Sequence, residues 1–269
     1  MTSVSRQNAP ESAVSPSFVS NAPSVVLFDL DDTLFDHQRA VSLGVTAKRR
    51  AHGGVLAEAD DAEEARRWHH LEEVHYSRYL HGELDLQQQR RVRVQEFLGH
   101  HGIRLDDARA DAWYADYLAH YDRSWLLHDD ALPCLDALEE SIPGVQFGII
   151  TNAELNYQTP KLDRLGLSPR MRHVVGSGEV GHPKPDARIF EHACDLFGVP
   201  PQEAVYVGDR LQTDARGAAD AGLTGVWLDR GVVVPKPEEV AEARAAGVVV
   251  IQSLAELPGA LAPSGAARE

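Results

Sequence analysis

The chain has 269 residues, 43% of them hydrophobic and 25% charged, which is ordinary globular composition and enough length for one large domain or a core with a smaller partner. Its formal net charge of −15 argues against a nucleic-acid or anionic-membrane surface. No window approaches the roughly 18 consecutive apolar residues of a membrane span. Any site for an anion must therefore overcome a repulsive global field with a local cation.

Residues 1–23 are rich in Ser, Ala, Pro and Asn and carry no apolar run, so they lack a signal-peptide core and are expected to be disordered. The first apolar run, VVLFD (25–29), is followed at once by acids, Asp29, Asp31 and Asp32. From Asp36 to about residue 130 the pattern is helical. AEEARRWHHLEEVHYSRYLHG (62–82), LQQQRRVRVQEFLGHHG (86–102) and DARADAWYADYLAHYDRSW (107–125) all read as amphipathic helices, punctuated by glycines at 82, 99 and 102.

Short β-branched runs then resume: VQFGIIT (145–151), HVVG (173–176), AVYVG (204–208), GVWL (225–228) and VVVI (248–251). They lack alternation and most are separated by helical patterns, so they predict strands buried on both faces of a parallel sheet. PDARIFEHACDLFGV (185–199) has helical apolar spacing and stops at Gly198, and TDARGAADAG (213–222) predicts a small-residue helix packed closely on the sheet. The fold class is thus α/β, a Rossmann-like parallel sheet with helices on both faces, plus an α-helical cap. The expected division is a core over 24–36 and 130–257, a cap over 37–129, and a disordered tail, PGALAPSGAARE, over 258–269. The two cysteines, Cys134 and Cys194, match no zinc or CxxC spacing and read as buried small hydrophobes in a reducing cytoplasm.

Parallel sheets place ligand groups just beyond the carboxyl ends of their strands. Four such loops hold Asp29 and Asp31; Thr151 and Asn152; Lys184; and Asp209 with Asp214. Singly, each has a plain structural reading: a turn, a helix cap or a solvated lysine. Together, FDLDDTLF (28–35), GIITN (148–152), GHPKPDARIF (181–190) and VGDRLQTDARGAADAG (207–222) resemble, in order, the motifs of the haloacid dehalogenase superfamily. The resemblance runs from residue 25 to about 257. It is closest to the subgroup with a helical cap inserted after the first motif.

The chemistry follows from charge. A carboxylate repels a phosphate, and a divalent cation removes that repulsion. Asp29 is then the nucleophile that forms an aspartyl phosphate. Asp31, two residues on, is the acid that protonates the leaving group and the base that activates water. That double role predicts a pKa for Asp31 raised by its acidic neighbours. Asp29 and Asp209 are the expected Mg²⁺ ligands, and the resemblance implies the main-chain carbonyl of Asp31 as a third. Asp214 is either a further ligand or a partner behind the first ones. The Thr151 hydroxyl and the Asn152 backbone N–H face a phosphoryl oxygen, and Lys184 supplies positive charge. Asp32 is expected to shape the loop.

The second Asp also separates reactions. Halide leaves without a proton donor, and the family's dehalogenases resemble Asp-x-Tyr at this place; Asp31 favours phosphate esters. The resemblance therefore implies a magnesium-dependent phosphatase for a small phosphate ester, with nucleoside monophosphate or sugar phosphate as substrate. A phosphomutase or phosphotransferase keeps the same Asp pair. A non-catalytic phospholigand-binding protein would have lost one of the four charged residues, and none is missing.

Within the cap, Tyr79, Gly82, Leu84 and Arg93 resemble the nucleotidase-like and acylneuraminate-phosphatase-like branch, with Val94 where an aromatic is usual. Arg93 is a candidate for a substrate anion; the alternative for Arg90, Arg91 and Arg93 is a solvated helix face. The cap histidines match no HExxH spacing and read as surface or packing residues. Trp68, Trp113 and Trp125 read as cap core. Monomer and dimer both remain open.

Overall fold

The computed structural model describes residues 22–232 and 234–262. Strand β1 (Val25–Phe28) is followed by five helices: α1 (His37–His52), α2 (Val55–Glu58), α3 (Asp61–Leu80), α4 (Leu86–Gly99) and α5 (Asp107–Arg123). The α/β alternation then runs α6 (Ala131–Ser141), β2 (Gln146–Thr151), α7 (Leu155–Arg164), β3 (Met171–Gly176), α8 (Ser177–Val180), α9 (Ala187–Phe197) and β4 (Ala204–Gly208). It ends with α10 (Gly217–Asp220), β5 (Thr224–Leu228), α11 (Pro237–Ala245), β6 (Val249–Ile251) and α12 (Leu257–Ala260). The α/β class read from the sequence is borne out, and every predicted strand forms.

Aspartates set where the helices begin. Asp36, Asp60, Asp85, Asp106 and Asp186 each accept a hydrogen bond from a backbone N–H of the first turn of α1, α3, α4, α5 and α9. These caps satisfy donors that a helix start leaves orphaned, and their charge suits its positive end. At α4 the arrangement is a full capping box with Gln88.

All strand pairings are parallel, in the order β3-β2-β1-β4-β5-β6. β1 lies centrally between β2 and β4, so successive strands are added to one side of it and then to the other, and a crevice opens at its carboxyl end. The strand residues alternate between two apolar layers. Val26, Phe28, Phe147 and Val207 join one with α6 residues such as Leu135, and Leu27, Ile150 and Tyr206 join the other with Ile189 and Phe190 of α9. The first layer continues without a break into α1, α3, α4 and α5 through Phe35, Val41, Trp68 and Tyr121. Trp68 and Trp113 are buried there, and Trp125 packs at its margin.

The helix predicted over 213–222 forms in two parts. Leu211–Arg216 winds as a π-helical turn, and only Gly217–Asp220 is regular α-helix. Gly225 explains its closeness to the sheet: a Cβ there would lie 2.0 Å from the Ala215 carbonyl oxygen.

Two expectations about the chain ends change. Residues 1–21 lie outside the described residues, but Pro23, assigned to the disordered segment, is buried. Of the tail, residues 258–262 are described: α12 packs on α6, with Leu257 and Leu261 fully buried. A Pro-Gly pair in a small-residue stretch suggested fraying, but two leucines four residues apart are enough to anchor one helical turn. Leu261→Ala is expected to cost about 2–5 kcal/mol, read as a lower urea midpoint at unchanged slope. Among the described residues, no helix is long and apolar enough to cross a membrane. Cys134 and Cys194 are buried free thiols.

Candidate active site

Asp29 continues β1, its N–H bonded to the Val207 carbonyl at 2.8 Å, and so stands at the central crevice. The Lys184 ammonium meets it there. Buried at 6% exposure, Lys184 donates to Asp29 Oδ1 at 2.6 Å, Tyr206 Oη at 2.7 Å and Asp214 Oδ1 at 2.8 Å. Asn152 sets the lysine in place. Its Oδ1 accepts from the Lys184 N–H at 2.8 Å and its Nδ2 donates to the Lys184 carbonyl at 3.1 Å. The Asn152 side chain is therefore spent on the lysine loop, which the sequence did not suggest.

Asp214 is 1% exposed and both of its oxygens are occupied: Oδ1 by Lys184, Oδ2 by the Arg210 N–H at 2.9 Å. It reaches them because residue 208 is glycine, since a Cβ there would lie 2.5 Å from Asp214 Cβ. Of the two readings for Asp214, the contacts match the partner behind the ligands. Asp209 extends β4, and its carbonyl accepts from Trp227 Nε1 at 3.0 Å.

Carboxylate oxygens of Asp29, Asp209 and Asp214 lie within 4.8 Å of one another. Three acids thus crowd one ammonium. Burial, outweighing Lys184, pushes the Asp29 carboxyl up to about 7, helped by Asp214 and Asp31. Burial, with Asp214, Asp29 and Asp32 nearby, carries Asp209 well above the usual carboxylate range. Lys184 would be lowered by burial, but Asp214 and Asp29 hold it above the usual ammonium value. Such crowding of hard oxygen donors leaves negative charge unbalanced, and the donor set suits a small divalent cation.

Asp31 departs from expectation. Burial raises its pKa, but Lys161, whose Nζ donates to Oδ1 at 2.6 Å, and His37 at 4.0 Å together bring it below the ordinary value. Gln158 Nε2 donates to Oδ2 at 2.7 Å. The acidic neighbours are outweighed because Lys161 touches the carboxylate directly. Thr151, 2% exposed at the end of β2, accepts from the Ala153 N–H at 3.1 Å and from Gln158 Nε2 at 3.3 Å. Asp32 has φ of 62°, and its Oδ1 accepts from the Gln38 N–H at 2.9 Å. An acid tolerates that left-handed backbone by bonding locally, so Asp32 turns the loop into α1.

Arg93 is not at the site surface. It is 2% exposed, donates to Glu72 Oε1 at 2.5 Å and Tyr114 Oη at 2.6 Å, and lies 4.8 Å from the Trp68 ring centroid. Neither a substrate anion nor a solvated face describes it; it anchors Glu72. Burial would raise the Glu72 pKa, but Arg93 and His37 hold it well below the usual range. Glu72 in turn faces His37 at 3.6 Å, and His37 Nδ1 lies 2.8 Å from Tyr121 Oη. Burial would lower the His37 pKa; Glu72, Asp32 and Asp31 instead carry it up to about 9, so an imidazolium stands beside Asp31. Of the other histidines, His75 and His101 pair with Glu96 and Glu64, each at 3.0 Å. Arg210 in the crevice bonds Glu73 of α3 at 2.5 Å, bringing α3 over the strand ends.

Lys161, Gln158, His37, Tyr206 and Arg210 were not singled out from sequence. The one available signal was a buried-side helix, α7, carrying Gln158 and Lys161 beside Leu162.

Residues 23–222 match the family of haloacid dehalogenase-like hydrolases. The chain is 32% identical over 219 residues to the glyceraldehyde 3-phosphate phosphatase of Methanopyrus kandleri, covering 77% of this chain and 84% of that one. It is 34% identical over 124 residues to mouse N-acylneuraminate-9-phosphatase, 46% of this chain and 47% of the relative. The Bacillus subtilis protein YfnB, solved with magnesium, has a similar fold (TM-score 0.70, 21% identity, 90% of this chain and 99% of that one). The chain belongs to the haloacid dehalogenase-like hydrolase family. The resemblance carried by its four motifs is borne out.

Proposed function

We propose that the protein is a phosphatase that hydrolyses a small phosphorylated metabolite through an aspartyl-phosphate intermediate, with helices α1–α5 as a cap over the site. The carrying observation is the joint placement of Asp29, Lys184 and Asp31 at one strand end, with Asp31 an acid where a dehalogenase needs none. Asp29 attacks phosphorus, its new O–P bond forming as the bond to the leaving oxygen breaks, and Asp31 gives that oxygen a proton. Water then attacks phosphorus and passes its proton to Asp31, the Asp29–phosphorus bond breaks, and inorganic phosphate departs. Lys184 neutralises Asp29 and the phosphoryl oxygens; the Thr151 hydroxyl and the Asn152 N–H orient them.

The acids Asp29 and Asp209, with the Asp31 carbonyl, would hold Mg²⁺, which screens the repulsion between carboxylate and phosphate. Asp214 supports this reading by fixing Lys184. Lys161 and His37 favour Asp31 as a carboxylate, the form it has after giving up its proton and the form in which it accepts one from water. The acid half of the cycle needs Asp31 protonated, and a phosphate monoester bound as its monoanion brings that proton.

Relatives that act on a triose phosphate and an acylneuraminate phosphate favour sugar phosphates over nucleoside monophosphates. The net charge of −15 argues against nucleic acid or an anionic membrane as partner, a small phosphate ester would be met at the local cation Lys184, and the two free thiols suit the cytoplasm. The test is phosphate release from a panel of sugar, amino-acid and nucleoside phosphates, with Mg²⁺ and with EDTA. Release that needs Mg²⁺ is expected, strongest on a sugar phosphate. A folded protein that releases phosphate from none of them would sink the reading.

A further inference from the structure

Lys161 is 1% exposed, yet it is a charged residue on α7, outside the four family motifs. Its ammonium sits among four rings, with the Phe35 centroid at 4.4 Å, Tyr157 at 5.3 Å, Trp125 at 5.8 Å and Tyr121 at 6.0 Å. The carboxylate it bonds is that of Asp31, at 2.6 Å. Gln158, one turn earlier on the same face, is fully buried and bonds the other Asp31 oxygen at 2.7 Å. Two rigidly packed donors on one helix thus take one oxygen each of a carboxylate whose side chain is 30% exposed. His37 approaches the same carboxylate from α1 at 4.0 Å.

An ion pair kept only for stability has little reason to be here. Replacing a buried pair by apolar groups is often neutral or stabilising, and this lysine is already surrounded by rings that would accept one. What the pair does provide is orientation, because a carboxylate gripped at both oxygens cannot rotate about its own axis.

Resting on the phosphatase reading above, we infer that Lys161, seconded by Gln158, is a positioning residue that fixes the Asp31 carboxylate for proton exchange with the leaving group. The proton moves from Asp31 to the leaving oxygen as the phosphorus–oxygen bond breaks. Lys161 takes no proton and touches no substrate. Its effect therefore scales with how much the leaving group needs a proton. An alkoxide needs one; p-nitrophenolate, a stable anion, does not.

The experiment compares kcat/KM for p-nitrophenyl phosphate with that for the alkyl phosphate turned over fastest in the panel, in Lys161→Met, Lys161→Arg and Gln158→Leu. For Lys161→Met the alkyl value is expected to fall by about 100-fold while the p-nitrophenyl value stays within about threefold. Lys161→Arg recovers most of the alkyl loss, and Gln158→Leu repeats the pattern more weakly. In an Asp31→Asn background, Lys161→Met leaves the residual alkyl value unchanged, since the group it positions is gone. Equal losses on both substrates, or the same loss without Asp31, overturn the inference and leave the phosphatase intact. A wild-type protein inactive on both compounds overturns the phosphatase reading and this inference with it. If Lys161→Met does not fold by circular dichroism, Gln158→Leu decides on the same two ratios.

Discussion

Asp29→Asn is expected to reduce phosphate release by roughly ten-thousand-fold or more while leaving the metal-free protein at least as stable as wild type. An amide oxygen cannot form the acyl phosphate, so no covalent intermediate builds up. The same oxygen can still accept from Lys184, so the contact at 2.6 Å keeps a partner. Meanwhile one of three acids within 4.8 Å loses its charge. A carboxyl raised to about 7 in the folded protein, against about 3.9 unfolded, contributes stability that is present at low pH and lost as pH rises through the folded value. The advantage of the Asn variant in EDTA should therefore grow between about pH 4 and pH 7 and then level off. Urea midpoints at three pH values check it, and a variant less stable than wild type throughout would show that the crowding argument is wrong.

Lys184→Met should act oppositely on stability and alike on activity. The ammonium is the shared donor of Asp29, Asp214 and Tyr206, and the methionine that fills its space donates nothing. Breaking a buried ion pair from one side strands the remaining charge, which costs about 3–5 kcal/mol, and losing a preorganised cation at the reacting group slows turnover by about a thousandfold. Mg²⁺ should restore part of the stability, by binding the folded form, and none of the rate. Unfolding and phosphate release with and without Mg²⁺ separate the two. An unchanged midpoint without Mg²⁺ would mean that Asp214 does not depend on the lysine.

The strands and the four motif loops were legible because each is local. An apolar β-branched run ends at a polar residue, and the parallel sheet brings those ends together. What could not be read were contacts made by side chains far apart in sequence. Arg93 lies on a helix whose other residues are mostly polar, so nothing local marks it as the buried partner of Glu72, 21 residues away. The shift of Asp31 was expected in the wrong direction because its acidic neighbours are adjacent in sequence, whereas Lys161 comes 130 residues later. Tyr206 looked like any strand residue, and only the fold turns its hydroxyl toward Lys184. Asn152 was read for its backbone N–H alone; that its side chain holds a loop 32 residues on had no local signal. The tail was misjudged for a related reason: two leucines have meaning only when α6 offers a surface.

The two ends of the helical segment lie side by side. Phe35 and Leu127 pair as an antiparallel bridge, Asp36 N–H bonds Leu126 O at 3.0 Å and His128 N–H bonds Leu34 O at 2.9 Å. The chain leaves the sheet and returns to it at one spot. Lengthening a loop between such neighbouring ends adds little closure entropy, and insertions between adjacent ends are well tolerated. Natural variation could therefore have exchanged whatever covers the strand ends as a single cassette, leaving the carboxylates and the lysine untouched. A lineage built this way would diversify in what it recognises long before it changed what it does to phosphorus.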